Sequence, residues 1–533
     1  MRHLERIEES PPTTFKYVEV RTPANTPTHL IGWLPIVWSR VLFGGTPASA
    51  PGAWHWQPFA ILFVLSGVLL YPCVSFYLFE PDEGRYAQIP REMLTSGAWI
   101  VPTLQGEPYL DKPPLFYWLV MLSYSLFGFN EGAARLIPAM AMHAVVLVTY
   151  VLGRRMVGQH SAFWGSLLLT VSPIFLGIGR LLVLDGLLTL WVTLAILAAY
   201  LAQKGDKLGR GCWLVAAVAC ALGVLTKGPV AVVLVVLPLL VHRWLTLDPA
   251  AISWRAWAGF LGIILAVNLP WYVAVCVERP EFIRYFLWQH NVQRFVEPFD
   301  HVRPMWFYVP IILYGLLPIA ILAWPLAKFF TSTCSVESSA RCAALGYLML
   351  AGGWCVCFFS LAGSKLPTYI LPSFPLLCLA LGCFVARTDW RHSRWVLGLV
   401  ATAWFLQVAV SYVAVPAYAR LRSPMGHPAE MHERCGDPLV PVVCFPRHVD
   451  SVAFYVGRSD FRVIRSKEID RLVKELEKQP RTVVLFGHRN SPETLARHLP
   501  SHLRMVDRRP MGLCESAVIE RLHHLPTPVM AFK

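Results

Sequence analysis

The sequence predicts a mainly α, polytopic membrane protein: a bundle of about 11–13 transmembrane helices, interfacial helices in the first outer loop, and a small C-terminal α/β domain outside the membrane. Three observations carry that expectation. Hydrophobic residues make up 55% of the 533 positions and charged residues only 15%, against about 25% charged in soluble chains. Apolar runs of about 20 residues, long enough to cross ~30 Å of hydrocarbon, recur from Trp56 to Val415. Beyond Tyr418 the charges return and the pattern changes.

The composition also excludes function classes. The formal net charge of +14 arises from basic loops between apolar runs, the ordinary pattern of membrane chains, so no nucleic-acid partner is expected. Cys212, Cys220, Cys276, Cys378 and Cys383 lie inside apolar runs, where cysteine behaves as a small hydrophobe. Only Cys435, Cys444 and Cys514 fall in the polar C-terminal region, where a disulfide has no sequence support.

The first 30 residues are polar and rich in Pro and Thr, so 1–56 is expected to be a cytoplasmic tail, with an interfacial stretch around Trp33 to Phe43. Spans are expected near 57–79, 132–153, 161–179, 186–202, 211–226, 229–247, 256–277, 306–327, 342–362, 367–386 and 395–416. The run after Pro114 is short and reads as an interfacial helix. With the tail inside, the loops holding Arg154/Arg155, Lys204/Lys207/Arg210, Arg243/Arg255, Lys328/Arg341 and Arg387/Arg391/Arg394 all become cytoplasmic. The expected domains are thus the tail 1–56, a membrane body 57–416 and an outer domain 417–533, where β-like runs (440–445, 481–486) flank a helical stretch (467–478). With no catalytic pattern of its own, the outer domain reads as accessory.

The unusual polar residues gather on the outer side of this threading. Glu80-Pro81-Asp82-Glu83-Gly84-Arg85-Tyr86 places three carboxylates within four residues where the first span ends, a costly cluster unless solvated or used. An amphipathic stretch follows, then Asp111-Lys112-Pro113-Pro114, a lysine made rigid by two prolines and suited to a phosphate. Asp185 stands at the outer end of a hairpin, with Arg180 as its expected partner. Lys227 and Lys365 each place one cation in an outer turn, where either serves as a snorkelling anchor or a functional charge. His290, Arg294, His301 and Arg303 share one loop between spans, and with Asp111 this loop offers two ligand types suited to zinc.

In this order, Glu80-Pro-Asp-Glu-Gly-Arg-Tyr86, Asp111-Lys-Pro-Pro-Leu115, Gly179-Arg-Leu-Leu-Val-Leu-Asp185, Leu225-Thr-Lys-Gly-Pro229, Gln289-His-Asn-Val-Gln-Arg-Phe295 and Lys365-Leu-Pro-Thr-Tyr-Ile-Leu-Pro372 resemble the lipid-phosphate-dependent glycosyltransferases of the GT-C class. The resemblance is to the branch holding the aminoarabinose transferases of lipid A and the protein O-mannosyltransferases, and covers nearly the whole membrane part. It implies a polyprenyl (undecaprenyl) phosphate sugar donor and an extracytoplasmic lipid or glycan acceptor, handled by a monomer in the bacterial inner membrane. By position it implies catalytic roles for Asp82 and Asp185 with Glu83 in support, donor-phosphate contacts from Lys112, Arg85, Arg294 and Lys365, and a divalent metal such as zinc at Asp111 and His290. This chain departs from the metal pattern in having the shorter Asp and a Gln-His-Asn triplet.

Two other readings stay open at this level. A transporter or lipid flippase is also polytopic, but places ionisable residues near mid-bilayer and often shows inverted repeats. A protein O-glycosyltransferase differs from a lipid A modifier in its acceptor.

Overall fold

The computed structural model describes residues 56–71, 74–245, 252–297, 301–332, 342–388, 390, 393–488 and 490–522. The expected tail and the Trp33–Phe43 stretch therefore lie outside the described residues. Helix α1 (Trp56–Leu70) leads through an irregular stretch to α2 (Asp82–Ser96), and strands β1 (Thr103–Leu104) and β2 (Glu107–Pro108) form a hairpin before α3 (Leu115–Phe127). Then come α4 (Glu131–Val157), α5 (Gln159–Thr170), α6 (Pro173–Gly179), α7 (Asp185–Ala202), α8 (Arg210–Lys227), α9 (Val230–Leu245) and α10 (Trp254–Glu278). The second half of the bundle holds α11 (Tyr308–Gly315), α12 (Ala323–Thr331), α13 (Ala343–Leu361), α14 (Ser373–Arg387), α15 (Arg394–Ala409) and α16 (Val415–Arg422).

Six described helices are long and apolar enough to cross a membrane, or seven if a bent pair counts as one span, and five shorter apolar helices accompany them. Each expected span coincides with one of these or with a broken pair. Helix α4, 27 residues long, shows why the boundaries are readable. The Asn130 side chain caps its start by accepting from the Ala133 amide, Glu131 lies in its first turn, and Arg154 and Arg155 lie in its last, so both ends suit the helix dipole.

Breaks follow from sequence too. Helices α5 and α6 bend by 61° at Ser172-Pro173, where proline cannot continue the ladder and Ser172 Oγ accepts from the Phe175 amide. Between α15 and α16 a π-turn, Val410–Ala414, accommodates Pro416, so one continuous helical path runs to Arg422. Helices α5 and α14 cross closely at glycines: a Cβ built on Gly165 would meet Cys378 O at 2.8 Å, and one on Gly382 would meet Gly165 N at 2.4 Å, the small-residue contact typical of membrane helices. At one end of the bundle Lys204 Nζ donates to Arg155 O at 2.5 Å and Arg387 Nη2 to Val157 O at 3.2 Å, so three of the expected cytoplasmic loops lie together.

The C-terminal part contains α17 (Pro428–Cys435), β3 (Val442–Phe445), α18 (Asp450–Val456), β4 (Arg462–Val463), α19 (Ile469–Glu477), β5 (Arg481–Phe486), α20 (Ser491–Ala496), β6 (Leu503–Met511) and β7 (Cys514–Arg521). Its five strands run β4-β3-β5-β7-β6, parallel across β4-β3-β5 and antiparallel across β5-β7-β6. Alternate residues feed two cores, Val442, Cys444, Val483 and Leu485 on one face and Val443, Phe445, Val484 and Phe486 on the other. That is the signature of strands covered on both sides. Cys435, Cys444 and Cys514 are buried free thiols.

Candidate active site

The site is built on helix starts. Asp82 is the first residue of α2 and Asp185 the first of α7, each in a first turn where the helix dipole favours an anion. The Asp82 side chain is 58% exposed and stands 3.7 Å from Arg85 one turn on. Asp185 does not pair with Arg180, the partner expected from sequence. Its Oδ1 accepts from Lys227 Nζ at 2.6 Å, and that ammonium lies 4.6 Å from the centre of the Tyr369 ring. Arg180 instead donates to Leu69 O at 3.4 Å. Lysine 227 ends α8, so the α7–α8 packing and not the hairpin itself supplies the counter-ion.

Glu83 points away from Asp82 and is 2% exposed. Its Oε1 accepts from Arg135 Nε (2.8 Å) and the Leu182 amide (2.7 Å), and its Oε2 from Arg135 Nη2 (2.7 Å) and the Phe79 amide (2.8 Å). Arginine 135 also donates to Val74 O at 2.9 Å, to Phe76 O, and to Tyr77 O at 3.3 Å. A carboxylate with this set of partners is a joint between the first loop, α4 and the turn before Asp185. It has no lone pair spare for chemistry.

Asp111 and Lys112, just before α3, meet the segment after α10. Lys112 Nζ lies 2.7 Å from His290 Nε2, and Tyr285 Oη donates to Asp111 Oδ1 at 2.5 Å. Sequence reading treated 283–293 as loop. It is a π-helix, Ile283–Gln293, whose wide turn lacks the 3.6 period and stacks His290 on Tyr285 and Phe286, with ring centres 6.2 and 6.4 Å apart. Burial pushes the Asp111 carboxyl up, but the charges of His290 and Lys112 and the Tyr285 hydroxyl outweigh it and hold it below the usual carboxylate range. Burial pushes the Tyr86 hydroxyl up, and the negative charges of Asp82, Asp185 and Asp111 push it in the same direction.

The metal expectation fits poorly. Among the described residues no group of three His, Cys, Asp or Glu side chains comes together, and a lysine ammonium occupies the Nε2 side of His290. Zinc is ordinarily held by three or four such ligands. Lys365 is not brought to the Lys112 cluster: its buried ammonium donates to Arg303 O at 3.1 Å and Ala362 O at 2.5 Å, tying two outer turns together. The side chain of Arg294 lies outside the described residues. A cavity of about 370 Å³ is lined by Phe76, Phe79, Gly177, Arg180, Val415 and Tyr418, nearly all apolar.

The arrangement has the fold of the GT-C class of membrane transferases. It superposes on the crystal structure of ArnT from Cupriavidus metallidurans bound to undecaprenyl phosphate with a TM-score of 0.72, covering 87% of this chain and 98% of that one at 19% identity. Residues 55–286 match the family model for dolichyl-phosphate-mannose-protein mannosyltransferase. The chain is 32% identical over 396 residues to the undecaprenyl phosphate-alpha-4-amino-4-deoxy-L-arabinose arabinosyl transferase of Shewanella sediminis, 72% of this chain and 69% of that protein. It therefore belongs to that arabinosyl transferase family. The similarly named protein of Edwardsiella ictaluri is 35% identical over 354 residues, 64% of this chain, and the match spans about three fifths of that relative's length, 61%.

Proposed function

We propose that this chain moves a sugar from a polyprenyl phosphate to an acceptor on the outer face of the membrane, with aminoarabinose as the sugar and lipid A or another envelope glycolipid as the acceptor. The observation that supports the proposal most is that one chain carries two charge sets, Lys112 paired with His290, and an exposed Asp82 and a Lys227-paired Asp185 each opening a helix. The family relationship and the apolar cavity lined by Phe76, Phe79 and Tyr418 support a lipid substrate. The body of the chain is 57–416 and its outer, extracytoplasmic domain 417–533.

Transfer breaks the bond between the anomeric carbon and the phosphate oxygen, and the bonding pair leaves with the phosphate. Lys112 neutralises the charge that develops there. With a hydroxyl acceptor, its oxygen bonds to the anomeric carbon from the opposite face and its proton passes to Asp82. With a phosphate acceptor there is no proton to remove, and Asp82 orients the nucleophile. Lys227 holds Asp185 as an oriented anion at the start of α7.

The test is transfer in reconstituted membranes from undecaprenyl phosphate-linked aminoarabinose, read by mass spectrometry of lipid A. Modified lipid A supports the proposal. Modification of a hydroxyl-bearing peptide, with lipid A untouched, would instead establish a protein acceptor, the reading that the mannosyltransferase model favours.

A further inference from the structure

The C-terminal domain was expected to be accessory, yet it grips the helix that begins with Asp82. Glu80 Oε1 accepts from the Ser451 amide at 2.6 Å, Gln88 Nε2 donates to Arg458 O at 2.8 Å, and Arg91 Nη1 donates to Phe454 O at 2.6 Å. Gln105 spans the seam twice, donating to Asp450 Oδ1 at 3.1 Å and accepting from the Phe461 amide at 3.2 Å. The approach is so close that a Cβ on Gly84 would meet Ser451 N at 2.5 Å. At the centre stand two acids, Glu80 and Asp450, whose Oε2 and Oδ2 atoms are buried with no hydrogen-bond partner among the described residues.

We propose that Glu80 is a positioning residue, which in its protonated form locks the C-terminal domain onto α2 and so fixes Asp82 for transfer. Two ionised carboxylates in one buried joint repel, and a single proton between them removes the repulsion. Burial first, then the charge of Asp450, raise the Glu80 carboxyl to about 8. The other titratable groups facing the joint are Arg85 on α2, His448 with Nδ1 3.3 Å from Asp450 Oδ1, and the thiols of Cys444 and Cys514. Because the folded value is raised, the stabilisation is complete below the ordinary carboxylate range, declines as pH rises, and is gone above about 8.

The inference rests on the transferase reading, so its test carries one readout that needs no transfer. Glu80→Ala should lower kcat about tenfold to a hundredfold through misplacement of Asp82 while leaving donor affinity unchanged, and the isosteric Glu80→Gln should rescue it at neutral pH. Wild type should lose kcat through pH 8; Glu80→Gln should not, and His448→Gln should still do so. Independently, the melting temperature of wild type relative to Glu80→Gln should fall from pH 5 to pH 8 and level off above. A Glu80→Gln protein as inactive as Glu80→Ala, or one that keeps the alkaline loss, overturns the proposal. So does a melting difference that is flat with pH, whether or not any sugar is transferred.

Discussion

Arg135 holds both carboxylate oxygens of Glu83, at 2.8 and 2.7 Å, and neither side chain meets solvent. The pair ties α4 to the loop that ends in Asp82 and to the turn that ends in Asp185. Glu83 thus braces the segments that carry both acids, with all four of its acceptor positions taken.

Breaking such a pair leaves a buried charge alone, so Glu83→Gln and Arg135→Met should each destabilise the protein by about 3–5 kcal/mol. Thermal unfolding in detergent checks this. Two variants melting with wild type would mean that the joint carries no stability.

Asp185 and Lys227 should behave as one unit in catalysis. Asp185→Asn and Lys227→Met should each lower kcat, and the double variant should lose little more than the worse single one, because a residue that has lost its partner no longer contributes. Strictly additive losses would show that the 2.6 Å contact is incidental.

The two outer lysines should separate. Lys112→Ala should weaken binding of undecaprenyl phosphate, measured by titration in detergent, the ammonium beside His290 being the proposed phosphate contact. Lys365→Ala should keep donor affinity and lower thermal stability, since its ammonium serves two backbone carbonyls. Equal losses of donor affinity would return Lys365 to the phosphate.

Much of this was legible from residues alone. The spans were readable because hydrocarbon thickness fixes run length, and the clustering of polar residues on one side followed from the basic loops. Asp82, Asp185, Lys112 and His290 stood out as ionisable groups where a membrane chain rarely spends them. What stayed hidden depends on long-range pairing. The Asp185–Lys227 contact joins residues 42 apart and the Glu83–Arg135 clamp residues 52 apart, and no local period encodes either. The π-helix carrying Tyr285 and His290 lacks a 3.6 repeat, so it read as loop. Glu80 read only as one of a carboxylate cluster, solvated or used, because its neighbour Asp450 lies far along the chain, in a domain with no catalytic pattern of its own.

The most direct test of the account is single-turnover sugar transfer by Asp82→Asn with undecaprenyl phosphate-linked aminoarabinose and lipid A. The substitution keeps the side chain's size and removes its charge. Transfer should slow by about two to four orders of magnitude, the range of general acid–base groups, with donor affinity unchanged. Transfer at the wild-type rate by Asp82→Asn, with or without loss in Asp185→Asn, would contradict the placing of the chemistry at Asp82.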